Sequence, residues 1–329
     1  MLTHAVPVSG QALETRPFGK TGMEVTRLGL GAAEIGHLAA PVADALVGVA
    51  LDSGLNVIDT AECYLDSEAT LGRVLGERRK QCFLFTKCGH SPQLRRRGPW
   101  AQAARRAWRP IARATGLALA DWTPRLLEQS IERSLRLLKT DWLDLVQLHS
   151  CSEEILRRGD GIEVLQRAKK AGKTRCIGYS GDGAAALYAV ECGQFDALEI
   201  SLSILDQQAL EVVLPLASQA GLGVIAKRSA ANSVWKSAQR PENSYHHVYW
   251  DRLQTLDYAF LKEPDAIATA VRFTLSAPGV DTVLIGTTKP EHLRENIRLL
   301  ATGPLEPSRM EAIRARWKQA AGVDWRGQE

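Results

Sequence analysis

Residues 123–149 read TPRLLEQSIERSLRLLKTDWLDLVQLH and contain the basic repeating unit of the chain. Its first part repeats apolar residues at helical spacing and places charges on the opposite face. The apolar stripe consists of Leu126, Ile131, Leu135 and Leu138, and the charged face of Glu128, Glu132, Arg133 and Arg136. Its second part is a short apolar run that ends in His149. We therefore predict a helix over 123–138 and a buried strand over 143–149.

The same alternation of short apolar runs and helical segments extends on both sides of this stretch. Strands are predicted over 27–31, 56–60, 82–87, 143–149, 174–180, 197–201, 223–227 and 282–286. Helices are predicted over 41–53, 67–78, 123–138, 152–171, 184–192, 207–220, 264–276 and 291–300. Parallel strands need crossover helices, and eight such units close into a barrel. The fold class is therefore α/β, and the predicted architecture is a (β/α)8 TIM barrel.

Three segments lie outside this alternation. Residues 16–25 are predicted to form an N-terminal β-hairpin that plugs the bottom of the barrel. Long loops over 89–122 and 229–263 follow the third and seventh strands, so we expect them at the C-terminal face, where barrels carry their chemistry. The 329 residues would allow two domains by length, but no linker or composition break divides them. We therefore predict a single domain over 1–329.

Composition and charge exclude several classes of protein. The chain is 45% hydrophobic and 24% charged, with a formal net charge of +4, which is typical of a globular protein and not of a nucleic-acid binder. A basic cluster around Arg95 and Arg105, with Trp100 and Trp108, is interpreted as a solvated helix in preference to an RNA site. Residues 1–18 lack an apolar signal region, and no run approaches ~18 apolar residues. We expect a cytoplasmic protein without a membrane partner; the oligomeric state stays open.

The six cysteines include no Cys-x-x-Cys pair, which favours reduced thiols over disulfides. A zinc site formed by Cys63, Cys88 and Cys151 with His90 is the alternative. Their spacings match no zinc signature, so we predict no metal. A redox role for Cys63 or Cys151 stays open.

Four residues of chemically active type follow the predicted strands. Asp59 ends the second strand and Tyr64 lies just beyond it, while Lys87 ends the third strand and His149 the fourth. Each of these residue types, taken alone, commonly has a structural role: an Asp as a helix cap, a Lys as a solvated charge and a His in the core. Because the ends of neighbouring barrel strands meet at one mouth, we expect the four side chains to form a catalytic group.

These residues lie in motifs that resemble those of the aldo-keto reductase family. The pattern DTAxxY over 59–64 is followed by SE at 67–68, TK at 86–87 and DxxDLxxxH over 141–149. IGxS over 177–180, IGT over 285–287 and EN at 295–296 follow in the family's order. The resemblance covers about residues 16–300.

The resemblance implies hydride transfer between a nicotinamide cofactor and a small-molecule aldehyde, ketone or alcohol, without a metal. Tyr64 would be the general acid in reduction and the base in oxidation. Lys87 would lower the pKa of Tyr64 from its usual ~10, and Asp59 would hold the Lys87 ammonium. A neutral His149 would donate a hydrogen bond to the carbonyl oxygen.

No Gly-x-Gly-x-x-Gly follows a strand, so a separate Rossmann domain for the cofactor is disfavoured. The resemblance implies that the barrel itself binds the cofactor. The implied cofactor-binding residues are Gly31, Ala32, Ser180, Gly181, Glu199, Lys227, Arg228, Ser229, Gly286, Thr287, His292, Glu295 and Asn296. Two of them depart from the family pattern. Gly181 stands where an Asn, and Glu199 where a Gln, would hold the nicotinamide carboxamide, and a carboxylate accepts hydrogen bonds but donates none unless protonated.

Two points about the cofactor stay open. The stem of Lys227 or the guanidinium of Arg228 packs on the nicotinamide, or else Lys227 pairs with Glu199. The helix that begins near residue 290 would bind the adenosine 2′-phosphate at its N-terminus, with Thr287, His292 and Asn296 nearby. NADP is therefore favoured and NAD is the alternative, since His292 stands where the family often has Arg or Gln.

Two other functions remain as alternatives. A nucleotide-binding regulatory barrel with little turnover would explain the departures at Gly181 and Glu199. A sugar-phosphate lyase or isomerase is the second alternative, because barrels of this kind host many chemistries.

Overall fold

The computed structural model describes residues 13–90, 122–243, 246–300 and 302–322, together with 325 and 327. Eight parallel strands form a closed barrel in which each strand pairs with the next in sequence and the last pairs with the first. They are β3 (Leu28–Gly31), β4 (Val57–Asp59), β5 (Phe83–Cys88), β6 (Leu143–His149), β7 (Thr174–Ser180), β8 (Ala197–Ser201), β9 (Gly223–Lys227) and β10 (Thr282–Gly286). All eight predicted strands are present, and the predicted (β/α)8 fold is confirmed.

Helices follow the strands and cover the outside of the barrel. They are α1 (Ala40–Asp52), α2 (Ser67–Val74), α3 (Pro124–Leu138), α4 (Glu153–Arg158), α5 (Asp160–Lys170), α6 (Gly183–Glu191), α7 (Val213–Ala220), α8 (His247–Leu256), α9 (Ala266–Leu275), α10 (Pro290–Leu300) and α11 (Pro307–Ala320). The helix α3 buries Leu127, Ile131, Leu135 and Leu138. Leu126, which was predicted in the apolar stripe, is exposed, and Leu127 takes its place on the buried face. Within the described residues, no helix is long and apolar enough to cross a membrane.

Some predicted helix boundaries are wrong. The helix predicted over 152–171 is two helices, α4 and α5, because Gly159 between them adopts a left-handed conformation with φ of 81°. The helices predicted over 67–78 and 207–220 each include a short 3-10 helix, Gly76–Gln81 after α2 and Gln208–Leu210 before α7. The C-terminal helix α11 was not predicted at all.

An antiparallel hairpin of β1 (Thr15–Pro17) and β2 (Glu24–Thr26) precedes the barrel, as predicted. Its apolar side chains close the lower end of the barrel interior. They are Phe18, Met23 and Val25, which pack in one cluster with Val57, Phe85, Leu145, Cys176, Ala197, Ile225 and Leu284. The Phe18 and Phe85 rings stack with centroids 5.5 Å apart.

Residues two positions apart on a strand point to the same face, so five of the strands in this lower layer, β4, β5, β6, β8 and β9, also contribute a polar side chain to the layer above it. On β4, Val57 belongs to the lower layer and Asp59 lies above it; on β5, the same holds for Phe85 and Lys87. The upper layer lies at the C-terminal ends of the strands. It is polar, and it positions the candidate site.

The two predicted long loops are described to different extents. Residues 91–121 of the loop over 89–122, with the basic cluster at Arg95 and Arg105, lie outside the described residues. The loop over 229–263 contains α8 between two 3-10 helices, Ala231–Lys236 and Ala259–Lys262. It buries Tyr249 and Phe260 against the barrel core.

Candidate active site

A buried ammonium lies at the centre of the polar upper layer. Lys87 is fully buried near the end of β5. Its Nζ forms an ion pair with Asp59, donates a hydrogen bond to the carbonyl oxygen of Thr60 at 3.0 Å and lies 3.2 Å from Oε2 of Glu199. Asp59 and Glu199 are themselves almost completely buried. A buried charge is costly unless it is paired, so these contacts hold the ammonium in one place.

Tyr64 and His149 lie beside this ammonium on the open side of the mouth. Lys87 Nζ is 5.3 Å from the centroid of the Tyr64 ring. The Tyr64 and His149 rings meet edge to face at 6.0 Å. Both side chains are half-buried, whereas Lys87 is buried. The structure thus brings the four predicted catalytic residues together.

Burial and nearby positive charge keep the His149 ring neutral. Its Nδ1 is 3.6 Å from the Cys63 thiol, and the carbonyl oxygen of His149 lies 2.6 Å from Nε2 of His90. Burial, followed by the charge of Lys87, lowers the pKa of His149 well below its usual range. A neutral imidazole carries one N–H and can donate it to an oxygen in the mouth.

The net pKa of Tyr64 differs from the expectation. Lys87 lowers this pKa, as predicted, but burial outweighs it and raises the pKa of Tyr64 above its usual value. The negative charges of Asp59 and Glu199 act in the same direction as burial. The pKa of Tyr64 is raised because a buried phenolate loses its hydration. Lys87, the cation beside it, is also paired with two carboxylates.

The two carboxylates that share Lys87 shift in opposite directions. Burial and the nearby charge of Glu199 raise the pKa of Asp59 to about 8, against the opposing effect of Lys87. The pKa of Glu199 is lowered, because Lys87, Lys227 and a hydrogen bond from Gln147 together outweigh its burial. Asp59 is therefore the more easily protonated of the two carboxylates.

The residue that supports Glu199 was not predicted. Gln147 on β6 donates from Nε2 to Oε2 of Glu199 at 2.8 Å. Gln147 precedes His149 by two residues, so period-two spacing along the strand could have identified it as facing the interior. Its own Oε1 is buried without a hydrogen-bond partner.

Ser180 and Lys227 form a second pair, next to the first group. Lys227 Nζ donates to Oγ of Ser180 at 3.2 Å. Burial lowers the pKa of Lys227. No ion pair within 4 Å joins Lys227 to Glu199 in the described part of the chain, so the predicted alternative of a direct Lys227–Glu199 pair is wrong. Glu199 instead faces Lys87 on the other side of the barrel.

Gly181 follows Ser180 at a position that has no room for a side chain. A Cβ at Gly181 would lie 2.3 Å from the hydroxyl oxygen of Tyr179. This hydroxyl donates to the carbonyl oxygen of Cys151 at 2.8 Å, which holds the ring in place. The departure from the family pattern at Gly181 is therefore coupled to the buried Tyr179.

Arg228 turns toward the ends of β7 and β8. Its backbone is left-handed, with φ of 61°, and its guanidinium contacts the Ser201 hydroxyl and lies 3.4 Å from Asp182. Asp182 also accepts hydrogen bonds from the backbone and the side chain of Ser201, at 2.8 and 2.7 Å. Asp182 and Ser201 were not predicted, although Asp182 lies only two residues beyond Ser180.

The remaining predicted cofactor residues lie around the ends of β3, β9 and β10. Gly31 pairs with Gly286 across the barrel seam, and the Ala32 amide donates to the carbonyl oxygen of Asp59 at 2.8 Å. The Ser229 hydroxyl donates to the carbonyl oxygen of Leu284 at 2.9 Å. Thr287 accepts from the Lys289 amide at 3.1 Å at the start of α10.

Three further predicted cofactor residues lie on α10 itself. His292 and Glu295 are exposed and Asn296 is half-buried. In the part of the chain that the structure describes, no hydrogen bond or ion pair joins these three side chains to the group around Lys87. The same described residues contain no cluster of three His, Cys, Asp or Glu side chains suited to a metal ion.

Comparison with known proteins accords with this arrangement. Residues 27–318 match the model of the aldo/keto reductase family. The chain belongs to this family. The match spans the whole barrel, including every described residue named above as part of the site.

Among relatives, the pyridoxal 4-dehydrogenase of Microbacterium luteolum is 26% identical, over 87% of this chain and 93% of its own. The NADH-specific methylglyoxal reductase of Escherichia coli is also 26% identical, over 86% of this chain and 92% of its own. The holo form of an aldo-keto reductase from Bacillus halodurans superposes with a TM-score of 0.77 at 23% identity, over 95% and 99% of the two chains. This last likeness concerns the fold.

Proposed function

We propose that the protein is a nicotinamide-dependent oxidoreductase that reduces small aldehydes or ketones to alcohols, or catalyses the reverse reaction. The observation that carries the proposal is the convergence of Tyr64, Lys87, Asp59 and His149 at the mouth of the barrel. The relatives named above are a pyridoxal 4-dehydrogenase and a methylglyoxal reductase, and both names support a small carbonyl compound as substrate.

The residues next to this group fit a nicotinamide carboxamide. Lys227 and Ser180 supply hydrogen-bond donors for its oxygen, and the Glu199 carboxylate supplies an acceptor for its NH2 group. Glu199 would thus replace a neutral amide side chain, but it would only accept a hydrogen bond from the carboxamide NH2 group and would donate none. When bound, a nicotinamide dinucleotide would supply the hydride or accept it.

The chain's own residues would handle the proton. In reduction, the Tyr64 hydroxyl would give its proton to the substrate oxygen as the negative charge develops there. Burial keeps Tyr64 protonated over the physiological range, so it is always ready to act as an acid. Lys87 then stabilises the phenolate by its charge, since its Nζ is only 5.3 Å from the ring centroid.

His149 would orient the substrate. Because its imidazole is neutral, it would donate a hydrogen bond to the carbonyl oxygen without competing with Tyr64 for the proton. The edge-to-face contact between the two rings, with centroids 6.0 Å apart, supports a role of both residues at one substrate oxygen.

The adenosine end of the cofactor would lie near α10. The first turn of this helix presents unpaired backbone N–H groups, and Thr287, His292 and Asn296 accompany it. These groups favour a 2′-phosphate, so we propose NADP as the preferred cofactor and NAD as the alternative.

The test uses Tyr64→Phe, which removes only the hydroxyl. Carbonyl reduction, followed by the absorbance of reduced nicotinamide over a panel of aldehydes and ketones with both cofactors, should fall by about 10² to 10⁴. Binding of the cofactor should stay unchanged. Tyr188→Phe is the matched control, because Tyr188 lies on the outer helix α6 against Arg157. Unchanged turnover in Tyr64→Phe would remove Tyr64 from the mechanism.

A nucleotide-binding regulatory barrel remains the second candidate. The crowded Gly181 and the charged Glu199 favour it, since both alter the expected contacts of the carboxamide. Quenching of tryptophan fluorescence by the nucleotide, without consumption of reduced cofactor by any carbonyl of the panel, would select this function.

A further inference from the structure

The Lys87 ammonium donates hydrogen bonds to two oxygens and forms an ion pair with a third, and none of the three belongs to Tyr64. An ammonium carries three N–H groups. Three oxygens lie within 3.2 Å of Nζ, on the Asp59 carboxylate, the Thr60 carbonyl and the Glu199 carboxylate. Tyr64 is reached only through space, with its ring centroid 5.3 Å from Nζ.

Glu199 is fixed in this position by a second donor. Its Oε2 lies 3.2 Å from Lys87 Nζ and accepts from Gln147 Nε2 at 2.8 Å. Glu199 comes from β8 and Asp59 from β4, on opposite sides of the barrel, so the two carboxylates hold Lys87 from two directions. Glu199 and Gln147 are both buried, which leaves little freedom for another arrangement.

Charge counting gives the consequence. The cluster around Tyr64 contains the cation Lys87 and the carboxyl groups of Asp59 and Glu199, so a single positive charge faces two negative ones once Asp59 is ionised. Lys227, at Ser180, is the second cation near Glu199. The neutral neighbours are Cys63 and His149.

We propose that Glu199 is a positioning residue that shares the Lys87 ammonium with Asp59 and thereby weakens the effect of Lys87 on the Tyr64 hydroxyl. Glu199 touches Lys87, and it acts on Tyr64 through Lys87 and through its own charge. It sets the pH range in which Tyr64 can serve as a base in alcohol oxidation. This part of the proposal rests on the proposed function.

Glu199→Gln tests the proposal, because the amide has the same shape and lacks the charge. The pKa of Tyr64 should fall, since one negative charge that raises it disappears. The rising limb of kcat/KM against pH for alcohol oxidation should therefore move to lower pH by about one unit. Glu154→Gln is the matched control, as Glu154 pairs with Arg158 on the outside of the barrel. Glu199→Asp should keep the wild-type limb, because it retains the charge.

A limb that stays in place in Glu199→Gln would overturn the proposal. If Glu199 had only a structural role, Glu199→Gln would lower kcat/KM at every pH without moving the rising limb. That result would also overturn the proposal.

A second measurement does not need turnover. Carbon-13 NMR of the aspartate carboxyl groups in the cofactor-free protein follows Asp59, whose resonance is assigned with Asp59→Asn. In the wild type the Asp59 midpoint should lie well above the usual aspartate range, and in Glu199→Gln it should fall by about one pH unit or more. A wild-type midpoint in the usual range would overturn the proposal even if Glu199→Gln failed to fold. If these midpoints behave as expected but no substrate is turned over, only the proposed function fails.

Discussion

Two layers of side chains fill the inside of the barrel, and they differ in chemistry although the same strands provide both. The lower layer includes Val57, Phe85, Leu145, Ala197 and Ile225. The upper layer, two residues further along each of these strands, consists of Asp59, Lys87, Gln147, Glu199 and Lys227. The two residues on each strand point to the same face of the sheet, because side chains along a strand alternate with a period of two.

The difference shows how one scaffold separates stability from chemistry. The lower layer is sealed by the hairpin through Phe18 and is stabilised by burial of apolar area. The upper layer is just as deeply buried at Lys87 and Glu199, but its groups are charged, so each depends on a specific partner. A substitution should therefore affect mainly stability in the lower layer, and activity in the upper one.

The largest effect is expected from Lys87→Met in the upper layer. Loss of the cation should reduce kcat/KM for carbonyl reduction by about 10² to 10⁴, because nothing then stabilises the Tyr64 phenolate. It should also lower the free energy of unfolding by about 3 to 5 kcal/mol, because two buried carboxylates lose their partner. Steady-state kinetics and thermal unfolding check both. A variant of normal activity would contradict the assignment of Lys87.

Phe85→Ala, two residues earlier on the same strand, should separate the two layers. The cavity beneath the site should lower the free energy of unfolding by about 3 to 5 kcal/mol, since the ring is fully buried against Phe18. Turnover per folded molecule should stay at the wild-type value. Denaturant unfolding and kinetics below the transition measure both quantities. A selective loss of activity would show that the layers are coupled.

The smallest effect is expected at the edge of the upper layer, in Gly181→Ala. The added methyl group would meet the Tyr179 hydroxyl oxygen at 2.3 Å, so the free energy of unfolding should fall by about 1 to 3 kcal/mol. Gly48→Ala is the matched control, because Gly48 lies inside α1 with only Asp52 within 4 Å of the added carbon. It should stabilise the protein by about 0.5 to 1 kcal/mol. Equal effects of the two substitutions would show that Tyr179 yields freely.

Much of the site could be predicted because its signals are local. Asp59, Lys87 and His149 each end an apolar run, and the ends of parallel strands in one barrel meet. The helix predicted over 152–171 was wrong because a helical pattern and a helix-ending glycine occur in the same segment. Gly159 lies within a helical pattern, and its left-handed conformation ends α4 before α5 begins.

The contacts made by Gly181 and Glu199, the two residues that differ from the family pattern, could not be predicted. Glu199 was visible as a carboxylate in place of an amide, but its partner depends on which side chains cross the barrel. The structure joins it to Lys87 and Gln147 and leaves Lys227 to Ser180. The net pKa shift of Tyr64 was missed for a similar reason, because burial there is produced by elements distant in sequence.

The alternation of strands and helices could be predicted from the chain alone, because it follows from periodicities of two and 3.6 residues. The residue types that end each strand could then be located on the predicted strands. How one ammonium is divided between two carboxylates, and how strongly the phenol beside it holds its proton, depended on the folded barrel. Those properties depend on distances across the closed barrel and on the exclusion of water, and no local stretch of sequence contains either of them.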